Sequence, residues 1–265
     1  MNVLIVGNIT KDVYLRLDER RNKFELDEDK NPWMNVCFDG STHHYFRRNS
    51  VLGGAAVTLE VLKKFGLDAK IMNSRLSYED GEIRNAPNVD VYRYILCHGD
   101  KITYFSDNKH VITNWNVPED TIDWIFIDRS ANINQELVDS IETFLSVSQH
   151  TKLAIFAKQF PADCYANLAI RADLIFSESD IRIKNRQICV IRESSISLDE
   201  KKQSWHLPNK DLLTHLTAHS IIAATVLGAM ITGKGIAEAL KLAKTNVENA
   251  TLDRTLSLNK LEELV

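Results

Sequence analysis

Apolar and polar positions divide the chain into two regimes. Val3-Leu-Ile-Val6 opens as a short strand, and Gly53-Gly54-Ala-Ala-Val-Thr-Leu-Glu-Val-Leu-Lys-Lys-Phe-Gly66 reads as a helix with glycine at both ends. Between and after these lie strand-like patches with little helical periodicity: Val13–Leu17, Trp33–Phe38, Val89–Leu96 and, past a turn at His98-Gly99-Asp100, Lys101–Phe105. From Asp123 the rhythm becomes strand, helix, strand. Trp124–Ile127, Leu153–Phe156, Leu174–Phe176 and Ile188–Ile191 are uninterrupted apolar runs, and the helical stretches Gln135–Leu145 and Pro161–Ile170 separate the first three. Strands apolar on both faces, alternating with helices, predict a parallel sheet covered by helices. Two closing helices are expected at His219–Thr232 and Ile236–Glu248, joined by Gly233-Lys234-Gly235, the first so apolar that it should be buried.

Composition narrows the function classes. A chain of 265 residues with 44% hydrophobic residues suits one α/β domain, and no repeat, low-complexity tract or linker divides it. A net charge of -4 without a basic stripe argues against a nucleic-acid partner. Cys37, Cys97, Cys164 and Cys189 lack metal-ligand spacing and read as reduced thiols, so no metal site is expected. The N-terminus enters a strand directly, and the longest apolar run, Ile221–Ile231, is too short for a bilayer. A cytoplasmic protein with no membrane partner is the expectation.

Candidate chemistry gathers at a few points. Asp12 follows the opening strand, where open α/β sheets bind ligands, although turn or capping aspartates occur there too. Gly53 and Gly54 let a backbone approach a ligand closely at a helix start. With Gly7 at the head of Gly7-Asn-Ile-Thr-Lys-Asp12, these residues resemble the substrate end of the ribokinase-like (PfkB-type) carbohydrate kinases, whose pattern is G-x-x-x-x-D followed by Gly-Gly. The resemblance implies a three-layer α/β/α sandwich over residues 1–265 with a small β-sheet lid, here about 13–50 and 89–112. It also implies a homodimer through that lid, with Trp33, Val36 and Phe38 as apolar contacts. The implied activity is transfer of the γ-phosphoryl of ATP, with Mg2+, to a hydroxymethyl group of a sugar or nucleoside. Asp12, Gly53 and Gly54 would hold the acceptor, and Thr58 stands where many members carry an asparagine on sugar hydroxyls.

The other end departs from the family pattern. In place of G-A-G-D the chain reads Leu216-Thr-Ala218-His219-Ser220, so His219 takes the base position while Ala218 and Ser220 face the phosphate. Imidazole can accept a proton near neutral pH, but it lacks the carboxylate's charge unless it pairs with another group. Histidine at a helix start is also an ordinary occurrence. Ser177-Glu-Ser-Asp180 stands for N-x-x-E, leaving Asp180 as the acid that would organise magnesium, and Arg192-Glu-Ser194-Ser-Ile-Ser197 stands for T-x-G-x-x-G. Arg192 and Ser194 could meet a phosphate, or Arg192 could be a surface arginine. These departures keep open a catalytically degenerate member that binds a ligand or dimerises without chemistry. Gly228-Ala-Met-Ile-Thr-Gly233-Lys234-Gly235 imitates a P-loop, but it follows a helix and lacks the Ser/Thr, so Gly233 is expected to end that helix in the left-handed conformation.

Overall fold

A computed structural model describes residues 1–17, 34–38, 41–72, 77–79, 82–84, 90–98, 101–106, 111–113, 115, 121–157, 166–192, 194–204 and 212–247. In chain order these give β1 (Asn2–Val6), β2 (Ile9–Leu17), β3 (Met34–Phe38), β4 (Ser41–Gly54), α1 (Ala55–Lys64) and β5 (Asp68–Ile71). A small hairpin, β6 (Ser77–Glu79) and β7 (Glu82–Arg84), precedes β8 (Val91–His98) and β9 (Lys101–Ser106). Then follow β10 (Trp124–Ile127), α2 (Gln135–Val147), β11 (Lys152–Ala157), α3 (Ala166–Arg171) and β12 (Leu174–Ser177). The chain closes with β13 (Gln187–Arg192), β14 (Ser195–Leu198), β15 (Lys201–Ser204), α4 (Leu212–Ile231) and α5, a helix over 236–247.

The main sheet has eight strands in the order β15-β14-β13-β12-β11-β10-β1-β5, parallel from β13 to β5 and antiparallel at β14 and β15. Successive side chains of a strand point to opposite faces. Val3 and Ile5 of β1 and Trp124 and Phe126 of β10 therefore pack beneath α1, α4 and α5, while Leu4, Val6, Ile125 and Ile127 pack on α2 and α3. This is a three-layer α/β/α sandwich. The uninterrupted apolar runs follow from it, since both faces of each central strand are buried. Fully buried side chains such as Ile222 and Leu227 of α4 contribute roughly 1.5–3 kcal/mol each.

A second sheet, β3-β4-β2-β8-β9, joins strands from the two segments between residues 9–54 and 91–106, with β2 and β8 parallel and the other neighbours antiparallel. Its longest strand, β4, runs straight into α1 and was not foreseen, because Ser41–Asn49 is polar and carries no clean alternation. Asp12 sits within β2, opposite Val51 of β4 and Arg93 of β8, so it belongs to a strand and not to a loop. Only Gly7 and Asn8 separate β1 from β2, which transfers the chain from one sheet to the other.

The segment standing for T-x-G-x-x-G is closed, as the loss of both glycines implies: Arg192 of β13 pairs with Ser195 of β14. The apolar helix begins at Leu212 instead of His219. Leu212-Leu-Thr-His-Leu-Thr-Ala218 contains neither Gly nor Pro, so nothing in it interrupts helical hydrogen bonding. The other end stops as anticipated. Gly233 adopts φ +85, its N–H reaches Met230 O at 3.0 Å, and Lys234 N–H reaches Ala229 O at 2.9 Å, the paired bonds of a Schellman stop. Gly228 is required by packing, since a Cβ there would lie 2.7 Å from the ring of Phe65, the residue that follows α1.

Candidate functional site

Ligands of open α/β sheets bind beyond the carboxyl ends of the strands. Here those ends carry two polar clusters. The first surrounds the β1–β2 step and the start of α1. Asp128, directly after β10 and 1% exposed, accepts hydrogen bonds from Thr58 Oγ1 at 2.5 Å, Ser130 N at 2.8 Å and Ser130 Oγ at 2.6 Å. Gly54 has φ +61, and a Cβ on it would sit 2.4 Å from Asn8 O. The next residue, Ala55, donates its N–H to that same carbonyl at 3.0 Å. Glycine at position 54 is thus demanded by the chain's own backbone. Thr58, read from sequence as a contact for sugar hydroxyls, is fully buried, and its hydroxyl donates to Asp128. Gly53 is buried beside Thr10 in the β2–β4 ladder.

The second cluster joins β10, β12 and α4. Glu178, immediately after β12, receives Arg129 Nε at 2.6 Å and faces His219 Nδ1 at 2.8 Å, both on the single oxygen Oε1. The side chains are largely covered, at 13%, 24% and 12% exposure for Arg129, Glu178 and His219. Burial pushes the Glu178 carboxyl up, but the hydrogen bonds and positive charges of His219 and Arg129 outweigh it and hold the group at about 2. Glu178 is therefore ionised and can only accept, so the proton in its contact with the imidazole resides on Nδ1. His219 Nε2 is buried and has no hydrogen-bond partner among the described residues. A polar atom left in that condition costs about 1–3 kcal/mol, which marks the position as one where a ligand hydroxyl would be stabilising.

The remaining candidates fall elsewhere. Ala218 and Ser220 are buried in the interior of α4, several residues past its first turn, where backbone N–H groups serve the helix itself. Asp180 pairs with Arg192 on the surface, with side chains 74% and 54% exposed, and Ser194 is exposed in the turn that follows. These carboxylates do not fit a magnesium site, because Asp180 is engaged by Arg192 and Glu178 by Arg129 and the His219 ring. Among the described residues no three His, Cys, Asp or Glu side chains converge as metal ligands. Cys189 is a free thiol, and burial pushes its ionisation up. Cys164 lies outside the described residues. No described helix is long and apolar enough to cross a membrane.

Sequence reasoning singled out His219 and missed Glu178 and Arg129. An acid directly following an apolar parallel strand was the available signal for Glu178, and Arg129 lies two residues past the end of β10. No protein-family model matches the chain, and no curated protein matches it. Solved structures do. The fold is similar to Methanocaldococcus jannaschii nucleoside kinase, an archaeal member of the ribokinase family, with a TM-score of 0.60 over 98% of each chain at 13% identity. Arabidopsis thaliana ribokinase complexed with ribose and ATP gives 0.59 over 93% of this chain and 91% of that one at 11% identity. Burkholderia thailandensis nucleoside kinase in complex with inosine gives 0.56 over 93% and 90% at 14% identity. The chain has the ribokinase fold.

Proposed function

We propose that this chain is a PfkB-type sugar or nucleoside kinase homologue in which His219 accepts the proton of the acceptor hydroxyl. The observation that carries the reading is the buried Nε2 of His219, without a partner among the described residues, on a ring whose Nδ1 is engaged by Glu178 just past the carboxyl end of β12. The similarity of fold to a ribokinase holding ribose and ATP and a nucleoside kinase holding inosine supports a ribose-bearing acceptor and ATP as donor. Proton removal at Nε2 would accompany formation of the new O–P bond, as the bond between the γ-phosphorus and the ADP oxygen breaks. Asp12, Gly53 and Gly54 lie on the acceptor side in this reading, with Arg192, Asp180 and Ser194 towards the nucleotide. No step is assigned to magnesium. The second sheet is the lid, and a homodimer through its β3 edge, where Val36 and Phe38 lie, completes the proposal. Trp33, also expected there, lies outside the described residues.

A second reading, a ligand-binding homologue without chemistry, is favoured by the continuity of α4 through residues 216–220. A helix interior offers no free N–H groups to a phosphate. Calorimetry with ribose and inosine, combined with ADP release from ATP, separates the two. Turnover in the wild type that is lost in His219→Ala, with acceptor binding retained, is the expected result. Acceptor binding without wild-type turnover would establish the second reading.

A further inference from the structure

We infer that Glu178, anchored by Arg129, is the positioning residue that fixes the His219 ring with its proton on Nδ1 and its acceptor lone pair on Nε2. The inference rests on the kinase reading only for the destination of that lone pair. Each member springs from a rigid point. Arg129 follows β10 next to the fully bonded Asp128, and His219 lies in α4 between the buried Ala218 and Ser220. Glu178 follows β12, and its loop is pinned where Ser177 Oγ donates to Ser179 O at 2.8 Å and accepts from Ser179 N at 3.1 Å.

The shared oxygen decides the direction of the hydrogen bond. Arginine stays charged at every accessible pH, so Glu178 keeps an ionic partner whether the imidazole is neutral or protonated. A ring carrying its proton on Nε2 would turn the Nδ1 lone pair onto an anionic oxygen 2.8 Å away, replacing attraction with repulsion. Glu178 therefore supplies the negative charge that histidine lacks by comparison with an aspartate base, and does so through a side chain 41 positions away. A surface ion pair would not need this arrangement. Arg129 Nε and His219 Nδ1 both reach one oxygen of a carboxylate whose side chain is 24% exposed, and the other ring nitrogen has no partner among the described residues.

The test is nitrogen-15 spectroscopy of histidine-labelled protein, with the His219 signals assigned by comparison with His219→Asn. At about pH 8, above the ordinary imidazole range, the wild type should show a protonated Nδ1 and an unprotonated Nε2. Glu178→Ala should lose that preference. A wild-type ring protonated on Nε2, or on both nitrogens, overturns the inference, as does an unchanged tautomer in Glu178→Ala. Should the alanine variant fail to fold, the wild-type spectrum decides alone. Where the wild type transfers phosphate, Glu178→Ala should lower kcat on the order of 10²-fold with KM little changed, because a base in the wrong tautomer forfeits its contribution. An unchanged kcat also overturns the inference. A wild type without transfer counts against the kinase reading, while the tautomer result stands by itself.

Discussion

Asp128 and Arg129 are consecutive residues at the end of β10, yet they serve clusters of opposite character. At Asp128 three donors reach one carboxylate, and nearby a Cβ on Gly54 would lie 2.4 Å from the Asn8 carbonyl oxygen and 3.0 Å from Ser130 Cβ. Arg129 belongs to an open arrangement, in which Glu178 is held by the Arg129 guanidinium and the His219 ring while His219 Nε2 remains without a partner among the described residues. Satisfied buried polar groups specify a fold, whereas an orphaned one asks for a ligand. The residues that resemble a substrate-binding motif most closely thus include structural members, and the open chemistry lies one residue further along the chain.

The closed cluster should be the more sensitive to mutation. Gly54→Ala forces a side chain into a left-handed conformation and onto the Asn8 carbonyl, so denaturant unfolding should report a loss of about 2–5 kcal/mol. A loss below about 1 kcal/mol would mean that the cluster tolerates an added Cβ and is not closed. Thr58→Val comes next. Removing the hydroxyl deprives buried Asp128 of one donor and should cost about 1–3 kcal/mol, with affinity for ribose or inosine unchanged. Lost affinity at unaltered stability would move Thr58 into the ligand pocket and blur the contrast.

How far the sequence revealed these clusters depends on the range of the interaction. β10 and β12 were legible because each is a short apolar run buried on both faces, and the Gly233 stop because helix ends are set locally. The start of α4 was not. The resemblance placed a loop at Leu216–Ser220, but a stretch with no proline and without the family's glycines continues the helix. The β4 strand escaped because its evidence is pairing on both sides, with β2 and β3, and not periodicity. Thr58 and Asp128 are 70 residues apart, and Arg129 and Glu178 are 49 apart. Nothing local links such pairs. Family resemblance drew attention to Asp180 as the nucleotide-end acid, two positions from the half-buried Glu178.

The open cluster should show itself in acid. Glu178 titrates at about 2 in the folded chain, against an ordinary 4.5, so its stabilisation is complete above pH 4.5 and is lost as the pH falls towards 2. Urea unfolding of the wild type should therefore lose a component across that window that Glu178→Gln does not. It should amount to about 1–2 kcal/mol, since solvent screens the exposed quarter of the side chain. A parallel decline in both proteins would remove the ionic character assigned to the trio.

The smallest effect is expected at Asp180 and Arg192, and it sharpens the comparison by supplying an ion pair of similar chemistry in water. Their side chains are 74% and 54% exposed, against 24% and 13% for Glu178 and Arg129. Exposed pairs gain little because the dielectric is high, salt screens them and two long side chains must be ordered. A double-mutant cycle with Asp180→Asn and Arg192→Ala should give a coupling within about 0.5 kcal/mol that vanishes in high salt. The matching cycle with Glu178→Gln and Arg129→Ala should give about 1–3 kcal/mol and resist salt, because truncating either partner strands a charge in a covered site. Equal couplings in the two cycles would mean that burial does not distinguish the pairs, and the open cluster would then be surface chemistry that happens to be covered.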